Sequence, residues 1–198
     1  MTVILDYGLG NLRSVQKACE HLGAQAHIQS SLEGASRLIL PGVGAFGTAM
    51  QRLAPFASEV RKFAISGRPI MGICLGQQLL FESSEEYGSH EGLGILEGKV
   101  KYLPERTGLK LPQIGWNSLQ PGNDDVLLNG VAAGSNVYFV HSLYTDCADP
   151  SVVAAWTEYG IRYASAVRNG NVWGAQFHPE KSGAVGLRIL KNFLEFDS

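Results

Sequence analysis

Pro69-Ile70-Met71-Gly72-Ile73-Cys74-Leu75-Gly76-Gln77-Gln78-Leu79-Leu80-Phe81 is the stretch on which the reading of this chain turns. Its first half is an apolar run of strand length that ends on a thiol. Its second half, Leu75 to Phe81, reads as a helix. A chain that passes from strand to helix at a single residue must turn sharply. Such a turn strains the central residue and brings its neighbours too close for side chains, which is the physical use of Gly72 and Gly76. A strand running straight into a helix is also the unit from which parallel sheets are built.

The same unit recurs outward from that stretch. Val3-Ile4-Leu5 reads as a buried strand closed by the turn Asp6-Tyr7-Gly8-Leu9-Gly10. Leu12, Val15, Cys19 and Leu22 then form one helical stripe, and Gly23 ends it in the C′ position. Leu38-Ile39-Leu40 is another strand, halted by Pro41-Gly42. From about Lys99 the texture changes. Lys99 to Tyr102, Val137 to Val140 and Ser151 to Trp156 are short β-rich pieces separated by turn residues. Ala184 to Phe196 closes the chain as an amphipathic helix. The expected fold is α/β: a mostly parallel central sheet covered by helices on both faces, with an additional antiparallel portion. With no internal repeat and no long linker, residues 1–198 read as a single domain.

Composition narrows the classes of function. Hydrophobic residues make up 45% of the 198 and charged residues 17%, enough for a sizeable core. The net charge of −2 carries no basic run, so neither nucleic acid nor an anionic membrane is expected as a partner. No stretch has the length of a membrane span, and the N-terminus lacks the pattern of a signal peptide, so a cytoplasmic location is expected. Cys19, Cys74 and Cys147 are widely spaced and odd in number, which argues against a disulfide framework and against zinc. Cys19 and Cys147 read as small apolar core residues.

Cys74 differs because of its setting. Gly72-Ile73-Cys74-Leu75-Gly76 has the layout of a nucleophile elbow, with a thiol in place of the hydroxyl. The N–H groups at the start of the following helix favour a thiolate, and that of Leu75 points where an oxyanion would form. A buried cysteine in a tight turn fits the pentapeptide equally well. Gln176-Phe177-His178-Pro179-Glu180 supplies what such a nucleophile needs. His178 can take and return a proton, and Glu180 can hold its tautomer from across the rigid Pro179. An isolated His-Pro-Glu would read as a surface turn; beside an elbow it reads as catalytic. His21, His27 and His90 lack a suitably placed acid, and His141 reads as a hydrogen-bonded structural residue. Pro41-Gly42-Val43-Gly44 follows a strand where α/β sheets bind ligands, and its N–H groups can complete an oxyanion hole. With no lysine after it, it is not a Walker loop.

Cys74 in its elbow and His178-Pro179-Glu180 together resemble the class I glutamine amidotransferases, whose triad is Cys-His-Glu. Asp6 to Ser14, Pro41 to Gly44, Gly115-Trp116-Asn117, Tyr138 to Ser142 and Gln176 to Ser182 are similar to one subfamily. It comprises the glutaminase subunits of imidazole glycerol phosphate synthase in histidine biosynthesis. The resemblance covers essentially the whole chain. It implies that Cys74 attacks the glutamine amide, His178 moves the proton and Glu180 orients His178. It implies that the backbone at Leu75, Gly42 and Val43 stabilises the oxyanion, the last two after a peptide rearrangement. Gln78, Glu86, Ser142 and Leu143 match positions that hold the amino acid end of glutamine. Asn11, Trp116, Asn117, Tyr138 and Lys181 match a face that meets a (β/α)₈-barrel cyclase subunit in a heterodimer, which receives the ammonia. No metal and no organic cofactor are implied.

The local reading of four of those partner residues is plainer. Asn11 reads as a helix cap, Tyr138 as an ordinary core or groove aromatic and Lys181 as a solvated charge, while Trp116 fits either reading. Two departures from the subfamily pattern stand out: Gln113 where a histidine is usual, and Leu143 where tyrosine is common. Other readings are the amidotransferase subunit of another synthase (anthranilate, GMP, purine or pyridoxal phosphate), a stand-alone cysteine hydrolase of the same fold, and a binding module without turnover. The intact triad argues against the last.

Overall fold

Alternation inside the apolar runs decides the layers. In the computed structural model, which describes residues 1–105, 108–122 and 125–196, the first half of the chain forms β1 (Thr2–Leu5), α1 (Leu12–His21), β2 (Ala26–Gln29), β3 (Arg37–Gly42), α2 (Phe46–Leu53), α3 (Ala57–Ile65), β4 (Ile70–Cys74) and α4 (Leu75–Leu79). The four strands lie parallel in the order β2-β1-β3-β4. Successive side chains on a strand point to opposite faces. Val3, Leu5, Leu38, Leu40 and Ile70 therefore pack with Phe46, Leu53, Val60 and Phe63 of α2 and α3. Ile4, Ile39, Met71 and Ile73 face the other way, onto Val15 and Cys19 of α1.

The second half is a long antiparallel excursion that returns to its starting point. It comprises β5 (Phe81–Ser84), β6 (His90–Glu91), β7 (Leu96–Tyr102), β8 (Gln113–Ser118), β9 (Gln120–Pro121), β10 (Asn136–His141), β11 (Leu143–Cys147), β12 (Val153–Tyr159), β13 (Ile161–Asn169), β14 (Val172–Ala175) and α5 (Gly183–Leu194). β14 lies parallel to β4, with Gly174 opposite Gly72 and Ala175 opposite Ile73. From β14 the sheet continues through antiparallel β13, β11 and β7. β8 and β10 form a separate two-stranded antiparallel ribbon. α5 closes the α1 face with Ile189, Leu190 and Phe193. The expected class is thus observed, helices on both faces and antiparallel portion included. Among the described residues no helix is long and apolar enough to cross a membrane.

Three local expectations need correction. Pro41 and Gly42 do not halt β3 but extend it, opposite Ile73 and Cys74. The β1 ladder has already ended at Ile39, so the absent proline N–H removes no bond on that side. The helix after Cys74 stops at Leu79, and Phe81 opens β5 opposite Leu96. An apolar run such as Leu79-Leu80-Phe81 has no decisive period, and pairing with β7 settled it. Ser151 lies in a 3₁₀ turn capped by Asp149, whose carboxylate accepts from the Ser151 N–H, and the strand begins at Val153.

The tightest packing is where α4 meets the sheet. A Cβ on Gly76 would sit 1.8 Å from the Leu40 carbonyl oxygen, and one on Gly72 would sit 2.5 Å from that of Gly76. Both clashes are with backbone, which cannot swing aside. Gly76→Ala is expected to destabilise the chain by about 3 kcal/mol or more, at the top of the overpacking range. A urea-unfolding midpoint within error of wild type would refute this account of the glycine.

Candidate active site

Cys74 ends β4 with φ +56° and ψ −114°, a backbone conformation that costs about 1–3 kcal/mol for a residue with a side chain. The elbow read from the sequence is present. α4 has only five residues, so what it offers the sulfur is its first-turn N–H groups rather than a long dipole. Cys19 and Cys147 are poor nucleophiles by contrast. Burial, with Glu20 beside one and Asp146 beside the other, pushes each thiol up to about 12.

β14 carries the chain back alongside β4 and delivers Gln176, Phe177 and His178. Pro179–Lys181 then make a 3₁₀ turn that folds Glu180 under the imidazole. His178 Nδ1 lies 2.8 Å from Glu180 Oε1, and both side chains are almost wholly buried. Nε2 makes no aligned hydrogen bond among the described residues. Cys74 and His178 line the same cavity. Burial of the ring opposes its charge. The Cys74 sulfur and Glu180 on either side outweigh that penalty, so His178 is raised to about 10. His141, in the same cavity wall, goes the other way. Burial lowers it to about 4, against a backbone hydrogen bond at Leu143 and with repulsion from His178. One histidine is held charged at neutral pH and its neighbour is held neutral.

The cavity over Cys74 has a volume of about 300 Å³. Of the residues expected to hold the oxyanion or the substrate, Val43, Leu75, Gln78, Glu86, Ser142 and Leu143 line it. Gly42 does not; it lies in β3 opposite Cys74, where a Cβ would meet the Tyr7 hydroxyl at 2.8 Å. Gln78 Nε2 donates to the Leu143 carbonyl (3.2 Å) and to Gln176 Oε1 (2.9 Å). That orients the Gln176 amide, whose Nε2 lies 3.9 Å from Cys74 Sγ. Glu86 Oε2 accepts from the Phe46 N–H at 2.5 Å, so it caps the start of α2, shortly after Val43 and Gly44.

Sequence reasoning gave no role to Gln176, Pro112 or Val140. The first sat inside the recognised segment without a signal of its own, and the other two are apolar wall residues. His141 is the structural histidine expected, with Nδ1 2.6 Å from the Leu143 carbonyl. Gln113, a departure from the subfamily pattern, accepts from the Tyr163 hydroxyl at 2.9 Å and lies 3.1 Å from His141 Nε2.

Trp116 is 59% exposed and meets Tyr138 edge to face at 6.1 Å, with Lys181 Nζ 5.9 Å from the Tyr138 ring centroid. Tyr138 is half-buried at the surface of the ribbon, in a groove position rather than the core. Asn117 Nδ2 donates to the Glu158 carbonyl. Asn11 occupies the N-cap position of α1, but its side chain accepts from the Ser14 hydroxyl and makes no cap bond to a backbone N–H. α1 packs against the Pro179–Lys181 turn, which sets Asn11 on the element beside Lys181.

Comparison with known proteins gives one consistent picture. Residues 3–196 match the family model described as glutamine amidotransferase class-I. The chain is 52% identical to the imidazole glycerol phosphate synthase subunit HisH of Methanosarcina mazei, over 98% of this chain and 97% of the relative. It is 48% identical to the subunit of the same name from Syntrophotalea carbinolica, over 98% of each. Among solved structures, one described as a glutamine amidotransferase superposes with a TM-score of 0.75 at 25% identity, covering 98% of this chain and 97% of the other.

The charge on His178 yields a test. Its folded-state value lies above the unfolded value of about 6.5, so it contributes stability that is complete below about pH 6.5 and lost as pH rises through about 10. In Cys74→Ala the sulfur's contribution is gone and burial is opposed by Glu180 alone. The His178 titration, followed by imidazole NMR, is expected to fall well below the wild-type value. An unmoved titration would mean that Cys74 and His178 do not interact.

Proposed function

We propose, from the premise that this chain belongs to the class I glutamine amidotransferase family and within it to the HisH subunits of imidazole glycerol phosphate synthase, that Cys74, His178 and Glu180 form its catalytic triad. The chain is a glutaminase: it hydrolyses glutamine to glutamate and ammonia in histidine biosynthesis. The observation that carries the assignment of residues is the buried His178–Glu180 pair facing the same cavity as a backbone-strained Cys74. Residues 1–198 act as one amidotransferase domain, in the cytoplasm.

The chemistry follows from the geometry. The Cys74 sulfur attacks the side-chain amide carbon of glutamine, and the carbonyl electrons move onto oxygen. The Leu75 N–H, with backbone N–H groups of the Gly42-Val43 turn once it rearranges, stabilises that oxyanion. His178, held protonated, gives its proton to the departing nitrogen, and the C–N bond breaks to leave ammonia and a γ-glutamyl thioester. His178, now neutral, takes a proton from water as it attacks the thioester, and glutamate leaves with the sulfur restored. Glu180 keeps the ring in one tautomer and stabilises its charge. Glu86 suits the α-ammonium of the substrate. Gln78 and the Ser142-Leu143 backbone suit its carboxylate end.

Ammonia released to water at neutral pH is protonated and useless as a nucleophile, so the subunit works with a partner. The partner is a (β/α)₈-barrel cyclase, and Asn11, Trp116, Asn117, Tyr138 and Lys181 form the docking face of the heterodimer. An exposed tryptophan beside a tyrosine is the composition of an interface anchor. Val43 in the oxyanion turn is 41% exposed and flanked by Gly44 at φ +94°, which suits a peptide that changes orientation when the partner is loaded.

Glutamate release is expected to be low for the chain alone. It should rise by two orders of magnitude or more with the cyclase and its phosphoribulosyl-formimino aminoimidazole ribonucleotide ligand, and vanish in Cys74→Ala. Equal turnover with and without the loaded cyclase would remove the coupling. Cys74-dependent turnover that answers to a different synthase would remove the partner assignment and keep the chemistry.

A further inference from the structure

We propose that Ser182 is a positioning residue for catalysis, clamping the His178 turn to strand β10; this rests on the reading of His178 as the proton carrier. Ser182 occupies the N-cap position of α5, where a serine hydroxyl ordinarily accepts from the first-turn N–H groups of its own helix. Here it makes no cap bond. Its hydroxyl donates instead to the His178 carbonyl at 2.6 Å and accepts from the Tyr138 N–H at 2.9 Å. The His178 N–H in turn donates to the Tyr138 carbonyl at 2.9 Å. Three hydrogen bonds thus join both backbone groups of Tyr138 to the residue that bears the catalytic imidazole.

Ser182 is itself fixed in place. It is 2% exposed, and its carbonyl accepts from the Gly186 N–H. A Cβ on Gly186 would come within 2.0 Å of the Pro179 carbonyl oxygen and 2.7 Å of Ser182 Cβ, so the first turn of α5 lies flat against the Pro179–Lys181 turn. The clamp holds His178 at a set height over Cys74, whose sulfur lies 3.9 Å from the Val140 carbonyl of the same strand. One strand therefore fixes the spacing of the acid–base group and the nucleophile. Loss of the hydroxyl would leave the Tyr138 N–H without its partner and the His178 carbonyl with only the Lys181 N–H, uncoupling the turn from β10 and freeing it to drift.

The test uses full-length Ser182→Ala and Ser182→Thr, assayed with the ligand-loaded cyclase. Rates are normalised to the fraction of folded chain whose Cys74 reacts with iodoacetamide. For Ser182→Ala, kcat is expected to fall about 10- to 100-fold, the range for misplacing a reacting group. KM for glutamine should be unchanged, because Gln78 and Glu86 lie on other elements and the Ser142-Leu143 backbone is held by the pairing of β10 with β8 and of β11 with β7. Ser182→Thr, which keeps the hydroxyl, is expected to recover to within about threefold of wild type. In Ser182→Ala the His178 titration should drop from about 10 toward the unperturbed value of about 6.5. A Ser182→Ala chain that melts lower but keeps the wild-type kcat per folded molecule and an unshifted His178 titration overturns the proposal, as does a folded Ser182→Thr without recovery. If wild type releases no glutamate with any partner, the glutaminase reading fails, and the His178 titration still decides the clamp.

Discussion

The contact on which the active site depends is the backbone approach between α4 and β3, where Gly76 lies against the Leu40 carbonyl. It leaves no room for a side chain, and it holds the turn at Cys74 in a conformation that a cysteine would not otherwise adopt. The strain, about 1–3 kcal/mol, is offset by burial around it. Ile70 and Met71 of β4 and Leu79 and Leu80 at the end of α4 are fully buried, and each is worth about 1.5–3 kcal/mol removed from water. The Cys74 thiol is therefore aimed by the packing of the sheet, not by a loop that must find its place.

The second requirement is met by the return of the chain. β14 lies parallel to β4 in fixed register, so the residues that follow it emerge at the same sheet edge as Cys74. The antiparallel excursion between them supplies the remaining wall. β10 and β11 bring Val140, His141, Ser142 and Leu143 to the cavity. Buried amides tie the halves together, Gln77 to Thr145 and Gln78 to Leu143 and Gln176. Buried polar groups are tolerated when paired, and once paired they make the arrangement specific.

Electrostatics separates the roles of two histidines in one cavity. Burial acts on both in the same direction, against charge. Only His178 has a carboxylate and a sulfur flanking its ring, and it is held charged; His141 faces carbonyl, amide and phenol groups and stays neutral. A charged His141 would repel the His178 ring and compete for its counter-ions. Its neutrality fits a wall residue bonded to the Leu143 carbonyl.

The sequence by itself determined the α/β class, the elbow at Cys74 and the His178–Glu180 pair, because each rests on local chemistry: strict apolar periodicity, glycines flanking a nucleophile, and a proline between base and acid. The resemblance to the amidotransferases added Gln78, Glu86, Ser142 and Leu143 to the locally read Gly42, Val43 and Leu75, and six of these seven line the cavity, Gly42 being the exception. Only the tertiary structure decided what local pattern cannot encode. Phe81 became a strand because β7 was there to pair with it, and Pro41 stayed in β3 because the β1 ladder had already ended. Asn11 and Ser182 sit where helices are capped, yet their side chains bond a serine hydroxyl in one case and strand β10 in the other. A hydroxyl or an amide can satisfy its own helix or a neighbour across the fold. Which it does depends on groups brought close by packing, and no spacing along the chain records that.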